Sequence, residues 1–448
     1  MLPDPYPVRP WEAPCRGEVV VPGSKSLTNR ALLLAALAAG ETRLSGALFS
    51  RDTRLLIEAL AALGFDLEAD PEGASIRIVG RGGSIPGAHG RFHVGNAGTV
   101  ARFLTAFVCL RPGGRFGFDS DEEMYRRPMG GLIEALQSLG ARFHFKGRPG
   151  CFPFEIETAG LPGGDWHVDA RASSQMLSAL LLVAPKAGGE VRLQAPAVRP
   201  AFVEMTAGLL RQSGVTIEGS AGEGFRIPGN QQWNAPPEGE FAIEPDVTAA
   251  SYFLTLPAVT GGSLLLRGLH DRMLQGDRAY AGILKRLGLS VRQETQGWRV
   301  EAGTFPAVPG GSFDFEEFSD TFLTFAALAP LLPFPVRVTG IGHTRHQETD
   351  RVRAMATELR RVGSPVNEGP DFLQIGPFPP DLTADRFPVD IETYRDHRIA
   401  MSFAVLGSSP RFGAGSPWLR IRDPECCRKT FPGFFAQLQD LYLKCHDM

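Results

Sequence analysis

The chain is short of cysteine, of long apolar runs and of basic runs, and each shortage removes a class of function. Its six cysteines are Cys15, Cys109, Cys151, Cys426, Cys427 and Cys445. None stands in CxxC spacing, and six in 448 residues are too sparse for a disulfide scaffold, so reduced thiols are expected. No zinc signature is present: His343 and His346 form an HxxH without further ligands nearby, and a surface pair with no metal is expected. The longest apolar stretches, such as residues 31–39, are too short to span a bilayer. The opening MLPDPYPVRPWEAP has no apolar signal-peptide core, so a cytoplasmic protein is expected, with no membrane partner. Lys and Arg number 46 against 49 Asp and Glu, with no cationic block, which argues against nucleic acid as a partner. At 448 residues, two domains are expected rather than one.

What is present is organised around VVPGSKSLTNRALLLAALAAG, residues 20–40. β-Branched residues run into Pro22-Gly23, a polar cluster follows, and an apolar run closes at Gly40. The pattern predicts strand, tight loop and helix. A helix start leaves N–H groups unpaired and carries partial positive charge, and Lys25 and Arg30 add two cations there. The result reads as an anion seat.

This arrangement recurs. Polar helix starts are expected near Ser24, Gly95, Ala172, Asp246, Ser319 and Arg395, at steps of 71, 77, 74, 73 and 76 residues. An amphipathic helix follows each of the first five, ending at Gly64, Gly140, Gly214, Gly288 and Gly363, at steps of 76, 74, 74 and 75. FFAQLQDLYLK sits where a sixth would fall. Each amphipathic pattern runs on into a short alternating strand, as at Arg142-Phe143-His144-Phe145. Six units spanning the chain imply two α/β domains of three units each. The expected boundaries are 23–242 for the first domain and 1–22 with 243–448 for the second.

Buried helices with polar starts can aim those starts at a cleft and bias it toward a multiply anionic small molecule. The cations at or near the starts are Lys25, Arg30, Arg102, Arg127, Arg351, Arg398 and Lys429. Several Arg suit phosphate and carboxylate groups, which match the guanidinium fork. Thr99, Ser173, Ser174 and Gln175 are neutral donors, and Asp320 and Glu348 are carboxylates that could move protons.

The motifs PGSKSLTNRALLLAALA, GNAGTVAR, RRPMGGLIEAL, SSQMLSALLL, DVTAASYFL, MLQGD, QETDRVRAMATELRRVG, DHRIAM and KTFP run nearly end to end. On them the chain resembles the 3-phosphoshikimate 1-carboxyvinyltransferase family, the enolpyruvyl-shikimate-phosphate synthases. The resemblance implies a two-domain inside-out α/β barrel, each domain three βαβαββ-like units with pseudo-threefold symmetry. It implies carboxyvinyl transfer from phosphoenolpyruvate to the 5-hydroxyl of shikimate 3-phosphate through a tetrahedral intermediate, with no metal and no cofactor. It also implies a shikimate-pathway enzyme of the glyphosate-target family, expected to be a monomer. Carried over by position, Lys25, Ser26, Arg30, Ser173, Ser174, Asp320 and Gln347 would hold shikimate 3-phosphate. Lys25, Gly98, Arg127, Gln175, Arg351, Arg398 and Lys429 would hold phosphoenolpyruvate. Asp320 would take the hydroxyl proton, and Glu348, with Lys25 as competitor, would protonate the methylene carbon.

Three positions depart from the family pattern. Gln347 stands where Lys is common, and Arg345 or His346 is a candidate to compensate. Val198-Arg199-Pro200 stands where a phosphate-binding Ser is usual, with Arg199 the candidate substitute. Phe103 follows Arg102 where Pro is frequent in the glyphosate-sensitive class. Two other readings are the sister UDP-N-acetylglucosamine 1-carboxyvinyltransferase and a non-catalytic anion-binding homologue. The loop RPGGRFGFDSDEEMYRRP lacks the Cys common in the sister enzyme.

Overall fold

The computed structural model describes residues 2–236, 239–306, 311–413 and 415–446. The chain forms two units, one of residues 23–244 and one of residues 1–22 with 245–448. Backbone bonds from Ile243 to Ser45 and from Ser24 to Glu244 tie residues 243–244 to the first unit, two residues beyond the expected boundary. The next bond, Asp246 N–H to Pro22, belongs to the other unit.

The helices of the 23–244 unit are α1 (Lys25–Leu37), α2 (Arg51–Ala62), α3 (Gly98–Val108), α4 (Gly130–Ser138), α5 (Ser174–Val183) and α6 (Ala201–Gln212). Those of the other unit are α7 (Val247–Thr260), α8 (Tyr280–Arg286), α9 (Phe322–Leu328), α10 (Arg351–Arg361), α11 (His397–Gly407) and α12 (Phe434–His446). The odd-numbered helices are apolar nearly all round and buried along almost their whole length. Within each unit these three helices pack against one another. The even-numbered helices bury one stripe, as α10 does with Val352, Met355, Ala356 and Leu359.

Each unit carries three sheets, and five of the six share one plan. His89–His93 runs parallel to Pro112–Asp119, which pairs antiparallel with Phe154–Ala159, which pairs antiparallel with Arg142–Phe145. The sixth sheet has three strands, with Tyr6–Val8 antiparallel to Leu419–Ile421. The parallel edge of the first sheet is Glu240–Ala242, and Cys15–Val19 lies parallel to Gly262–Arg267. The repeat is therefore closed by strands distant in the chain. With helices at the centre and sheets outside, each unit is an inside-out α/β barrel.

The repeat is visible in the backbone. Gly64, Gly140, Gly214, Gly288 and Gly363 have φ of +88°, +103°, +81°, +89° and +93°. Each follows an amphipathic helix and turns the chain into the next strand, a conformation that glycine reaches without a Cβ penalty. Gly80 is constrained differently: a Cβ there would lie 2.2 Å from the Ala35 carbonyl oxygen and 2.3 Å from that of Ala38. α1 rests directly on the strand. Gly80→Ala is expected to cost about 2 kcal/mol by overpacking, read as a lower denaturant midpoint at unchanged m-value. An unchanged midpoint would mean that α1 lifts off the strand freely.

Candidate active site

In the 245–448 unit the starts of α9, α10 and α11 and the segment before α12 meet around one guanidinium. Arg351, the first residue of α10, is 1% exposed. Its Nε donates to Asp396 Oδ2 at 2.7 Å and its Nη2 to Asp396 Oδ1 at 3.3 Å. Nη1 donates to Asp320 Oδ1 at 2.9 Å and also to Gln347 Oε1. Nη2 lies 2.9 Å from Glu348 Oε2. Burial alone would disfavour this charge, but Asp396, Glu348 and Asp320 outweigh it and hold the guanidinium firmly protonated.

The network extends on both sides. Arg398 Nη2 donates to Asp320 Oδ2 at 2.7 Å, so Asp320 is gripped by two guanidiniums, one on each oxygen. Lys429 Nζ is 2.8 Å from Glu348 Oε1. Three cations and three carboxylates are thus interleaved. Asp320 lies in the 3₁₀ segment Glu316–Thr321, directly before α9, whose first position follows Thr321 without a side-chain cap bond.

Asp396 carries no assigned role in the sequence reading, although it stands in DHRIAM. It is fully buried, caps α11 by accepting from the Arg398 N–H at 2.9 Å, and takes two of the Arg351 donors. As sequence it reads as an ordinary helix cap. Its second task rests on a contact across 45 residues.

The structure also tests the compensation expected at Gln347. Arg345 puts Nη1 on both oxygens of Asp350, at 2.9 and 2.8 Å, and donates to the carbonyls of Gly369 and Pro370. Asp350 in turn caps α10. Arg345 therefore braces the start of the helix. His346 is exposed, and Gln347 itself accepts from Arg351. His343 Nε2 is 2.9 Å from Ser319 Oγ. Among the described residues no cluster of His, Cys, Asp or Glu has the makings of a metal site.

In the 23–244 unit the starts of α1, α3 and α5 gather similarly. Asn29 Nδ2 donates to Thr99 Oγ1 at 2.8 Å, joining α1 to α3. A Cβ on Gly98 would lie 2.6 Å from Arg127 Nη2, 2.9 Å from Arg102 Nη1 and 2.9 Å from Gln175 Oε1. Arg102 Nη1 donates to Gln175 Oε1 at 2.8 Å, and Arg127 Nη1 to the Asn96 side chain at 3.0 Å. Gly98, Arg127 and Gln175 thus come together, with Arg102 as a fourth member. Ser173 stands just before α5, without a side-chain cap bond, and Ser174 is its first residue. Lys25 Nζ is 3.3 Å from the buried Asp52.

Arg30 is 1% exposed and turned into the helix packing. Its Nε donates to Thr206 at 2.7 Å, and Nη1 to the Ser26 carbonyl at 3.0 Å. Its guanidinium stands 4.9 Å from the Phe103 ring centre. Burial pushes Arg30 down to about 9, so it stays charged at neutral pH.

These features define two α/β units whose buried helix starts carry guanidinium, ammonium and carboxylate groups suited to small anionic molecules. A family model described as EPSP synthase (3-phosphoshikimate 1-carboxyvinyltransferase) matches residues 11–438, and the chain belongs to that family. It is 46% identical over 447 residues to the 3-phosphoshikimate 1-carboxyvinyltransferase of Opitutus terrae, covering 99% of each chain. It is 38% identical over 427 residues to that of Nostoc punctiforme, covering 95% of this chain and 96% of that protein. Its fold is similar to an EPSP synthase structure from Acinetobacter baumannii, with a TM-score of 0.79, 23% identity and 97% coverage of each chain. Among the described residues no helix is long and apolar enough to cross a membrane.

Asp396→Ala is expected to cost about 3–5 kcal/mol, because it strips a buried guanidinium of one partner and uncaps α11. Asp396→Asn, which keeps an acceptor for the cap, is expected to cost less. Equal denaturation midpoints for Asp396→Ala and wild type would show that the other two carboxylates suffice for Arg351.

Proposed function

We propose that this chain transfers the carboxyvinyl group of phosphoenolpyruvate to the 5-hydroxyl of shikimate 3-phosphate, with release of phosphate. The observation that carries the reading is the Asp320 carboxylate held by Arg351 and Arg398 beside the Glu348–Lys429 pair. It supplies both kinds of group the reaction needs: cations for the phosphate and carboxylate of the donor, and carboxylates for the protons. The kinship and its coverage support the choice of substrates.

In this reading the 245–448 unit supplies the catalytic carboxylates and the donor-side cations Arg351, Arg398 and Lys429. Asp320 accepts the hydroxyl proton as the oxygen attacks the enol carbon. Glu348 gives a proton to the methylene carbon, with Lys25 the alternative, and the tetrahedral adduct forms. The group that gave that proton, now its conjugate base, takes one back from the new methyl group, phosphate leaves and the vinyl bond is regenerated. Arg351 and Arg398 already hold Asp320 at both oxygens, so its orientation is set before substrate arrives. The 23–244 unit supplies Ser26, Arg30, Ser173 and Ser174 toward shikimate 3-phosphate, and Gly98, Arg127 and Gln175 toward phosphoenolpyruvate. Gly98 fits such a role because a side chain there would collide with Arg127 and Gln175. Gln347, an acceptor to Arg351, takes the place of a cation toward shikimate 3-phosphate.

The test is phosphate release from phosphoenolpyruvate with shikimate 3-phosphate or UDP-N-acetylglucosamine as acceptor. Turnover only with the former is expected. Turnover with the sugar nucleotide, or with neither, overturns the reading. Asp320→Asn is expected to lower kcat about 10²–10⁴-fold, the usual worth of a placed base. A kcat within threefold of wild type would remove Asp320 from that role.

A further inference from the structure

A carboxyl group outside the network above lies on a turn packed against the segment that carries Asp320. Asp277, in the MLQGD motif, lies on the single turn Gly276–Ala279 and is 3% exposed. Its Oδ1 is buried and has no hydrogen-bond partner. The turn is fastened to the start of α7 by Gln275, whose Oε1 accepts from the Val247 N–H at 3.0 Å and whose Nε2 donates to the Pro245 carbonyl at 2.8 Å. On its other side the turn packs against Glu316–Thr321, the segment that carries Asp320. The charges that act on Asp277 are Asp320 from that segment, Arg398 from α11 and Asp246 from the start of α7, and the Thr248 hydroxyl hydrogen-bonds its carboxyl, leaving Oδ1 as the unmatched oxygen. The neighbouring helix α7 is capped by Asp246, not by Asp277. A buried acceptor left unmatched is costly for a purely structural group.

We propose that Asp277 is a positioning residue of the site: as a neutral acid it leaves Arg398 to Asp320 and to an incoming anion, and once ionised it competes for Arg398 and repels the anion. The inference rests on the function proposed above. Burial first, and then the Asp320 charge, push the Asp277 carboxyl up to about 7, against the pull of Arg398. Its ionisation therefore falls in the working range of pH. The sign follows directly. Below about pH 6 the group is neutral and anion binding is unhindered, and above about pH 8 it carries a charge that opposes binding.

Asp277→Asn keeps the shape and the neutral state and removes the titration. The ratio of wild-type to variant KM for phosphoenolpyruvate is expected to rise about three- to tenfold between pH 6 and 8.5, the worth of one charge several ångströms away at an effective protein dielectric. Taking the ratio cancels the ionisation of the substrate itself. A ratio that stays constant across this range overturns the proposal, whatever the size of the uniform loss. Calorimetry with inorganic phosphate at pH 7.5, in two buffers of different ionisation enthalpy, gives a readout that needs no turnover. Wild type is expected to take up more protons on binding than the variant, because a bound anion raises the proton affinity of Asp277. Equal uptake, or no phosphate binding by either protein, overturns the proposal. Loss of turnover in wild type with proton uptake intact would instead overturn the function and leave this inference standing. Thermal melting checks that the variant folds. A carboxyl whose folded pKa is raised loses stability as pH rises through that value. The variant is therefore expected to gain on wild type from pH 5 to pH 8.

Discussion

The 245–448 unit depends on keeping one guanidinium charged where water does not reach. Arg351 is almost wholly buried, and a lone cation in that position would carry a desolvation penalty of several kcal/mol. Three carboxylates, from the segment before α9, from the residues just before α10 and from the cap of α11, offset it together. Each carboxylate is in turn held elsewhere, Asp320 by Arg398, Glu348 by Lys429 and Asp396 by the Arg398 N–H. Removing any member leaves an opposite charge exposed to a low dielectric. The same arrangement that locks three helix starts together also fixes the direction of the carboxylates. Stability and preorganisation are thus one set of contacts.

That network can form because the helices bearing it are buried and begin at one place. A helix that is apolar all round has no face to show to solvent, so it must sit at the centre. Three such helices packed together bring their starts close, and the polar residues at those starts have only one another or a ligand to meet. The 23–244 unit follows the same logic with different chemistry. There the gathered groups include Arg102, Arg127 and Gln175, with Gly98 leaving room between them. A shared frame with different side chains at equivalent starts lets one unit interleave carboxylates with its cations while the other presents mainly cations and hydroxyls.

Much of this architecture was legible in the residues. The five stop glycines recur at near-equal steps because each supplies a left-handed turn that another residue would occupy only with strain. The candidate residues Asp320 and Arg398 could be picked out because each sits at a repeated polar start, and Glu348, Arg351 and Lys429 because they stand in the motifs QETDRVRAMATELRRVG and KTFP. Less legible was the choice of partners. Arg345 looks like a compensating cation for Gln347, yet it spends its donors on Asp350 and two carbonyls. Arg30 reads as one cation of an anion seat, and its packing against Phe103 and Thr206 is not visible in the residues around it. Asp396 and Asp277 read as a helix cap and a turn residue, because nothing local distinguishes them from one.

The residues alone determined the sixfold period, the two kinds of helix, the kinship and the inventory of charges, since all of these are carried by spacing and composition along the chain. Tertiary structure decided which charges meet. Asp320 and Arg398 are 78 residues apart and Lys429 and Glu348 are 81. A pairing at that range is set by how helix starts and strands from distant segments come together, as Tyr6–Val8 does in completing the last sheet. Side-chain identity limits the possible partners, but burial and distance choose among them, and neither exists until the chain has folded.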